Sequence, residues 1–490
     1  MRAASIRAWF GRLPERHGRT TLIVLAVVVL VALGLRVARA HEPIAAPGPD
    51  SDAYSALSSY LYKTGEYGTP GMENESDWSP GAVLFYTGVY VATGGVREEA
   101  ARYAVALLGA LLVLVVYALA RRLARSANDL RATNDERQLL SEPVAGLVAA
   151  GATAIYPAFI YDAGRLMSEP FAELTLAGFV LAFVWASDWG GGEAEGGYHP
   201  PMPSAYLAPG ALLGLTSLFR PEYLPFCVVF ALLAAIWGWR RSGRSAGALL
   251  RPALALLAAF AIVVLPWTVR NAVELDRFVP VSTGGGKALY IGTYLPGDGD
   301  HFGTKRALFY ASHPGIDVSP EEVNLLPMQP FLDAVADSRP ELERDAALGA
   351  IGKENLGNYL TEQPLDFAGM MGRKIWRMWR SGSGPGMDGA WQEVLHAALG
   401  LAGLAGLILL AVRRRPEALV IALLVLGITA IGAVLLASTR RNLILMPVVI
   451  ALAGVAITWV VARFRPTPAV SSTRSWSRPD PSSPRSSPPS

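Results

Sequence analysis

Two aspartates lie close together in the first polar segment of the chain, in the run PGPDSDAYSALSSYL. Asp50 and Asp52 follow a Pro-Gly-Pro turn and precede a helical pattern of Tyr54, Leu57 and Leu61. An aspartate at a helix start accepts hydrogen bonds from free N–H groups, so capping is one interpretation. The other is general-base chemistry on a hydroxyl, with Asp50 as first choice and Asp52 as second. The pair also leaves a divalent metal ion open, although two carboxylates alone do not make a metal site.

Five arginines lie at the ends of long apolar segments: Arg165, Arg220, Arg270, Arg440 and Arg441. Snorkelling explains any one of them, because a long side chain at the edge of a membrane reaches the headgroups. Five together favour a shared anion, since the guanidinium group binds a phosphate through two parallel hydrogen bonds. A lipid-linked phosphate lies at that depth.

Three further polar features accompany these charges. Glu169 begins an apolar segment and either complements the helix dipole or hydrogen-bonds a sugar hydroxyl or an arginine. Tyr54, one turn after Asp50, is a candidate for the same orienting contact. Lys287 ends the run STGGGK, which lacks the Walker spacing and predicts a flexible loop beside the site.

The histidines His199, His301 and His313 have no metal-ligand spacing and are predicted to be ordinary loop residues.

The elements that must position these residues are membrane spans. The 490 residues are 52% hydrophobic and only 17% charged, which excludes an ordinary soluble enzyme. Uncharged blocks long enough to cross a bilayer predict an all-α polytopic membrane protein with about ten transmembrane helices. The fifth block is short, so it is either a span or a half-helix that meets its neighbour at Arg220-Pro221. The predicted spans are 20–37, 102–120, 143–161, 170–187, 206–219, 222–239, 252–270, 392–412, 417–438 and 443–462.

Basic residues in the connections predict the orientation of these spans. Arginine groups at 2–19, 121–137, 240–251 and 413–415 all fall on one side, which the positive-inside rule assigns to the cytoplasm. The five arginines at the span ends then lie on the outer side. The long segments 38–101 and 271–391 also lie outside, and the second is large enough for a small domain on the membrane surface.

This topology divides the chain into five parts. They are a cytoplasmic N-terminus (1–19), a transmembrane module with its outer loop and juxtamembrane helices (20–270, loop 38–101), an extracytoplasmic segment (271–391), C-terminal transmembrane helices (392–462) and a disordered cytoplasmic tail (463–490). The single cysteine, Cys227, excludes an intrachain disulfide and a cysteine zinc cluster. The net charge of +3 argues against nucleic acid as the partner.

Six stretches of the chain carry a shared pattern: PDSDAYSALSSYL, WSPGAVLFYTGVYVATGG, GRLMSEPF, LFRPEYLPF, LPWTVRNAVELDRFVPVSTGGGKALYIGT and STRRNLILMPVVIAL. Together they resemble the GT-C superfamily of membrane glycosyltransferases that use polyprenyl-phosphate sugars, of the protein mannosyltransferase and aminoarabinose transferase type. The resemblance covers nearly all of residues 15–465, and the Pro-Trp-x-x-Arg-Asn block is its most specific part. This chain has Asp-Ser-Asp-Ala-Tyr where members of the family carry Asp-Glu or Glu-Tyr, and Asn442 where a tyrosine is frequent.

The resemblance implies an enzyme in the plasma membrane that transfers a sugar from undecaprenyl phosphate or a related lipid to an unknown acceptor on the outer face. Direct displacement would invert the anomeric centre, without a nucleotide cofactor. On this basis the donor phosphate is assigned to Arg270, Arg220, Arg440 and Arg441, with Arg165 and Lys287 as further cations. Asp50 or Asp52 is assigned as the base, and Glu169 and Tyr54 as sugar or orienting contacts.

A lipid or polysaccharide transporter, or flippase, is the alternative. It predicts internal repeats and charged residues in the middle of the spans. No repeat is visible between the halves of the chain, and Glu173 is the one internal charge noted in the predicted spans. These features favour the transferase.

Overall fold

The computed structural model describes residues 15–44, 48–68, 78–128, 140–187, 203–241, 246–382, 387 and 389–464. Within these ranges the chain forms α-helices and short 3-10 turns, with no β-strand. The predicted N-terminus 1–19 falls mostly outside the described residues, and the tail 463–490 almost entirely. The helices are α1 Glu15–His41, α2 Pro49–Thr64, α3 Pro80–Thr93, α4 Glu98–Ala127, α5 Glu142–Ile155, α6 Pro157–Tyr161, α7 Glu169–Ser187, α8 Leu207–Phe219, α9 Phe226–Arg241, α10 Ala246–Glu274, α11 Gly285–Thr293, α12 His301–Ser312, α13 Pro320–Leu325, α14 Gln329–Ala336, α15 Arg344–Glu362, α16 Pro364–Arg380, α17 Ala390–Val412, α18 Glu417–Val434 and α19 Arg440–Arg463.

Eight helical segments of the described chain are long and apolar enough to cross a membrane, which confirms a polytopic all-α protein. A ninth forms if α5 is taken together with α6 and the 3-10 turn after it, across a bend of 53°. The predicted fifth span, 206–219, is wrong as a full span. Its helix α8 has 13 residues, or about 20 Å at about 1.5 Å per residue, against about 30 Å for the hydrocarbon core. The eight segments are Gly18–His41, Glu98–Ala127, Glu169–Ser187, Pro221–Arg240, Leu249–Glu274, Ala390–Val412, Glu417–Val434 and Arg440–Arg463.

The chain between α8 and α9 is broken at Arg220. This residue is extended (φ −145°, ψ 98°), and Pro221–Tyr223 follows as a 3-10 turn. A proline disfavours the helical conformation of the residue before it, so the sequence Arg220-Pro221 ends α8 locally. The half-helix interpretation therefore describes this segment better than a continuous span does.

Helix α19 lies at the centre of the bundle and packs against α4, α5, α7 and α17. Glycines on the facing helix allow its close approach. A Cβ atom at Gly406 of α17 would lie 2.2 Å from the carbonyl oxygen of Leu452, and one at Gly403 would lie 2.8 Å from that of Val449. Small residues at such crossings let two helices pack backbone to backbone within a membrane.

Helix α4 connects the two ends of the bundle. At its beginning, Glu98 contacts Ser55 of α2, and Arg102 Nε donates to the carbonyl oxygen of Ala40 at 3.0 Å. At its end, Ser126 Oγ accepts from Arg415 Nε at 3.0 Å, in the turn between α17 and α18. The arginines in the last turns of α4 and those that follow α17 therefore lie at the same end of the bundle, as the sequence predicted. Which end faces the cytoplasm remains a prediction.

The polar segment after α10 folds into the helices α11–α16. Its apolar residues form a small core of their own, which includes Tyr290, Ile291, Leu332 and Leu348. Leu436, in the turn between α18 and α19, packs against this core. The segment thus rests on the turn that leads into the central helix. Its boundaries as a separate domain remain a prediction.

Candidate functional site

Charged side chains from four distant parts of the chain meet at one end of the bundle. Asp50, in the first turn of α2, forms an ion pair with Arg440, the first residue of α19. Arg440 Nε also lies 3.4 Å from Glu169 Oε1, where α7 begins. Arg220 Nη1, at the break after α8, lies 4.0 Å from the same oxygen atom. The folding of separate helices thus brings together residues that are up to 390 positions apart.

A third carboxylate extends this group. Glu222 Oε1 lies 3.4 Å from Arg220 Nε and 3.9 Å from Arg441 Nε. Arg441 Nη1 also donates to the carbonyl oxygen of Leu436. The sequence pointed to the arginines and overlooked Glu222, although it stands two residues after Arg220 at the same membrane boundary. We call Asp50, Glu169, Arg220, Glu222, Arg440 and Arg441 the outer charge cluster, after the side of the membrane that the sequence predicts for them.

The outer charge cluster is formally neutral, with three arginines and three carboxylates that alternate along a chain of contacts. This arrangement corrects the picture of arginines that converge on an empty anion site. Each arginine already faces at least one carboxylate. Burying an unpaired charge is costly, so neighbours of opposite sign allow these groups to leave water.

Arg165 belongs to a separate pair beside the cluster. It binds Asp162 and lies over the ring of Tyr161, with 4.7 Å between its Cζ and the ring centroid. Asp162 is also close enough to Arg440 and Glu169 for an electrostatic interaction. The predicted cation Arg165 is therefore close to the cluster, with its own carboxylate partner.

Helices α2 and α3 fix the segment that leads into Glu169. Ser51 Oγ accepts from the backbone N–H of Leu166 at 3.0 Å. The hydroxyl of Tyr86 donates to the carbonyl oxygen of Met167 and accepts from its N–H, both at 2.8 Å. These bonds place the start of α7 against α2 and α3, so that Glu169 faces Arg440.

Tyr54, which the sequence predicted as a sugar or orienting contact, lies beside the cluster. It is buried, and its ring meets Trp78 edge to face at 5.1 Å between centroids. Burial, and next the negative charge of Glu169, raise the pKa of the Tyr54 hydroxyl, which also interacts with Ser168. The tyrosine remains a neutral hydrogen-bonding group beside the cluster.

Asp52 does not join Asp50. The two residues are two positions apart on α2, about 200° around the helix axis, and Asp52 is exposed while Asp50 is partly buried. They therefore cannot converge on one metal ion as the sequence left open. In the part of the chain that the structure describes, no group of three His, Cys, Asp or Glu side chains is placed to hold a metal ion.

Arg270 lies apart from the cluster. Its guanidinium group lies between Tyr67 and Trp267, with Cζ 5.3 Å and 5.1 Å from the two ring centroids. Its Nη2 donates to the carbonyl oxygen of Tyr67 at 3.2 Å. The structure thus places this predicted phosphate ligand on an aromatic surface between α10 and the segment that follows α2.

The Pro-Trp-x-x-Arg-Asn block holds a chain reversal. Trp267 Nε1 donates to the carbonyl oxygen of Val281 at 2.7 Å, and Thr268 Oγ1 donates to that of Pro280 at 2.7 Å. Asn271 Nδ2 donates to the carbonyl oxygens of Val279 and Val281 at 3.1 Å and 3.0 Å. The block therefore ties the end of α10 to the FVPVS run that follows it.

The glycine-rich run before Lys287 forms the start of α11, which corrects the flexible-loop prediction. The N–H groups of Gly286 and Lys287 donate to the carboxylate of Asp345 at 3.1 Å and 2.9 Å. Gly284 has a φ of +87°, and a Cβ at Gly286 would lie 1.8 Å from the carbonyl oxygen of Asp345. The N–H groups that would bind a phosphate in a phosphate loop thus bind an internal carboxylate.

His301 is a residue that the sequence wrongly placed among ordinary loop positions. It begins α12, and burial together with the positive charges of Lys305 and Lys287 lowers its pKa. The carboxylates of Asp300 and Asp50 act in the opposite direction. His301 and Lys287 therefore lie on the side of the cluster where Asp50 is found. No spacing in the sequence marked this histidine.

A second charge lies within the spans, where the sequence noted only Glu173. Arg36 of α1 is fully buried and donates to the carbonyl oxygens of Thr153 and Ala154, both at 3.0 Å. It also interacts electrostatically with Glu173. The arginine thus supplies hydrogen bonds to the backbone at the end of α5.

Comparison with known proteins identifies the fold. No sequence-family model and no curated protein matches the chain. Among solved structures, the oligosaccharyltransferase AglB from Archaeoglobus fulgidus, in complex with an inhibitory peptide and a dolichol-phosphate, matches with a TM-score of 0.51 and 16% identity. The match covers 90% of this chain and 50% of AglB. The chain has the GT-C fold.

Two further structures extend the comparison. The apo form of the A. fulgidus oligosaccharyltransferase matches with a TM-score of 0.52 and 17% identity, over 90% of this chain and 51% of the other. ArnT from Cupriavidus metallidurans, bound to undecaprenyl phosphate, matches with a TM-score of 0.35 and 16% identity, over 91% and 78% of the two chains. The chain spans about half the length of the oligosaccharyltransferases that it matches. The GT-C fold agrees with the resemblance found in the sequence.

Proposed function

We propose that this protein is an integral-membrane glycosyltransferase that moves a sugar from a polyprenyl-phosphate donor to an acceptor on the extracytoplasmic side of the plasma membrane. The outer charge cluster is the observation that carries this proposal. It joins arginines suited to a phosphate and a carboxylate suited to a hydroxyl proton, at the ends of the membrane helices. The GT-C fold, found in an oligosaccharyltransferase that was solved with a dolichol-phosphate, supports it.

The reaction needs one bond to form and one to break at the anomeric carbon. The acceptor oxygen attacks that carbon, and the bond to the phosphate oxygen breaks with its electron pair. The proton of the acceptor hydroxyl goes to a carboxylate, and the lipid phosphate leaves as an anion that fixed arginines stabilise. A single displacement inverts the anomeric configuration. The donor phosphate is already activated, so no nucleotide is required.

Among the carboxylates, Asp50 suits the base best. Its side chain is 31% exposed, so an acceptor can reach it from outside. Glu169 is 2% exposed and lies between two arginines, which suits it to hold the cluster together. Asp52 is exposed on another side of α2. We therefore assign the proton transfer to Asp50 and the phosphate to Arg440 and Arg220.

Binding of undecaprenyl phosphate to the full chain in lipid nanodiscs tests the proposal. Arg440→Gln should weaken binding about 10- to 100-fold, because a hydrogen bond to a charged group contributes about 1.5–3 kcal/mol. The matched control is Arg463→Gln, at the opposite end of the same helix α19, where Arg463 lies over Trp459. This control should bind like the wild type. Equal affinities in all three proteins would refute a phosphate site at the cluster.

Sugar transfer is tested separately with polyprenyl-phosphate sugars and membrane acceptors. Incorporation of labelled sugar, with release of the lipid phosphate, is the expected result, and Asp50→Asn should lower its rate about 10²–10⁴-fold. Movement of the intact lipid across sealed proteoliposomes, without sugar release, would instead favour the transporter. The labelled compounds that react would identify the sugar and the acceptor.

A further inference from the structure

The outer charge cluster offers no unmatched cation to an incoming phosphate. Within the cluster, each of Arg220, Arg440 and Arg441 lies within 4.0 Å of a carboxylate oxygen. A donor anion that binds an arginine there must therefore displace a carboxylate, or else add a negative charge to a group already in balance. The exposure and position of each carboxylate indicate which one a donor anion would displace from its arginine.

Exposure distinguishes the pairs. The side chains of Asp50 and Arg440 are 31% and 33% exposed, whereas Glu169 is 2% exposed. Glu222 is 13% exposed and lies between two arginines. The Asp50–Arg440 pair is therefore the part of the cluster that an anion from outside meets first.

The surrounding structure also makes Asp50 the carboxylate that is easiest to displace. It lies on α2, which lies outside the candidate membrane spans and begins after Gly48 in the left-handed region (φ +94°). Glu169 and Glu222 begin apolar segments that are long enough to span the membrane. Arg440 would keep its contact with Glu169 through Nε, so its guanidinium group stays oriented while Nη1 changes partner.

We propose that the donor phosphate and Asp50 compete for Arg440, so that donor binding releases the Asp50 carboxylate. This inference rests on the proposed function. Without donor, the base is held by the arginine and is not free to accept a proton. With donor bound, Arg440 faces the phosphate and Asp50 is free to engage the acceptor hydroxyl. The order of binding is then donor first and acceptor second.

Competition between Asp50 and the donor phosphate predicts that removing the Asp50 charge increases the affinity for the lipid. Replacing the base by an uncharged residue should tighten the binding of undecaprenyl phosphate, because Arg440 no longer has to leave Asp50. We expect Asp50→Asn to bind this lipid about tenfold more tightly than the wild type, a change that corresponds to about 1.4 kcal/mol. The measurement is a titration of the full chain in nanodiscs with undecaprenyl phosphate.

Asp52→Asn is the matched control. It removes the same charge from the same helix, two residues away and from an exposed position. A general change in electrostatic attraction would affect both variants alike, so a difference between them isolates the pair with Arg440. Asp50→Ser, which also lacks the charge, should reproduce the gain and guards against a defect specific to asparagine.

A double variant completes the test. In an Arg440→Gln background, Asp50→Asn should no longer tighten binding, because there is no arginine to release. If the wild type binds the lipid and neither Asp50 variant binds it more tightly, the competition is refuted while the phosphate site stands. If Arg440→Gln binds as well as the wild type, the proposed function itself fails. The two failures are thus distinguishable.

Discussion

Replacement of Arg36 tests how a charge is used inside the membrane bundle. Helix α5 ends at Ile155, Tyr156 is extended in ψ (120°), and Pro157 begins α6. Proline has no N–H group, so the carbonyl of Thr153 loses the donor that a continuous helix would supply. Arg36 donates to this carbonyl and to that of Ala154, both at 3.0 Å. We expect Arg36→Met to destabilise the protein by removing both bonds.

The magnitude follows from the contacts. Two hydrogen bonds from a charged donor contribute about 1.5–3 kcal/mol each. Glu173 would also lose a cation that interacts with it, and breaking a buried pair costs about 3–5 kcal/mol. These terms overlap, and a methionine avoids the desolvation of the guanidinium group. We therefore expect the free energy of unfolding to fall by about 3–5 kcal/mol, measured by steric trapping in bicelles.

Two further variants separate the backbone contacts from the charge pair. Arg36→Met/Glu173→Leu removes the uncompensated carboxylate but leaves the carbonyls of Thr153 and Ala154 without the arginine, so it should stay about 2–4 kcal/mol below the wild type. Arg19→Met, at an exposed position of the same helix, should change stability by less than about 0.5 kcal/mol. Full recovery in the double variant would show that charge pairing alone explains Arg36. A loss below about 1 kcal/mol in the single variant would refute the whole account.

Three other predictions concern helix packing, the pH dependence of stability and the orientation in the membrane. Gly210→Ala should lower the free energy of unfolding by about 1–3 kcal/mol, because its Cβ would lie 2.2 Å from a backbone carbonyl oxygen of α10. A Cβ at Gly151 has nothing within 4 Å, so Gly151→Ala should be neutral or slightly stabilising in the same unfolding assay. Burial lowers the pKa of Lys374 to about 7, so the unfolded chain binds more protons than the folded one between pH 7 and about 10.4. The free energy of unfolding should therefore rise with pH in that window, by at most about 1.4 kcal/mol per pH unit. Lys374→Met should remove this pH dependence. In a background without the native cysteine, an impermeant thiol reagent should label Asp317→Cys in intact cells but not Arg240→Cys, and the reverse pattern would overturn the orientation.

The fold was largely predictable because membrane spans depend on one property, a long apolar run between charges. The predicted spans 392–412 and 443–462 correspond closely to Ala390–Val412 and Arg440–Arg463. The bend at Pro157 was missed because the predicted span 143–161 remains apolar throughout, and hydropathy does not register a lost hydrogen bond. Backbone geometry, rather than composition, decides where such a span breaks.

The site was predictable as a set of residue types and not as a set of contacts. The sequence indicated that Asp50, Glu169 and the span-end arginines lie near one boundary of the membrane. It did not indicate that Arg440 faces Asp50, because their helices are joined only by the packing of the whole bundle. Nor did the sequence indicate that Arg270 lies apart from the other arginines, because its partners Tyr67 and Trp267 carry no charge and leave no charge pattern in the sequence.

Charge balance explains why counting arginines overstates a phosphate site. A cation at a membrane boundary that is withdrawn from water needs an anion nearby, and the folded chain supplies one from its own carboxylates. A substrate anion is then recognised by exchange, and its net affinity is the difference between two similar interactions. Such a site binds its donor less tightly than three free arginines would, but each binding event also changes the partner of a carboxylate. In the exchange that we propose, this carboxylate is Asp50, to which we also assign the proton, so recognition of the donor and readiness of the base would depend on the same guanidinium group.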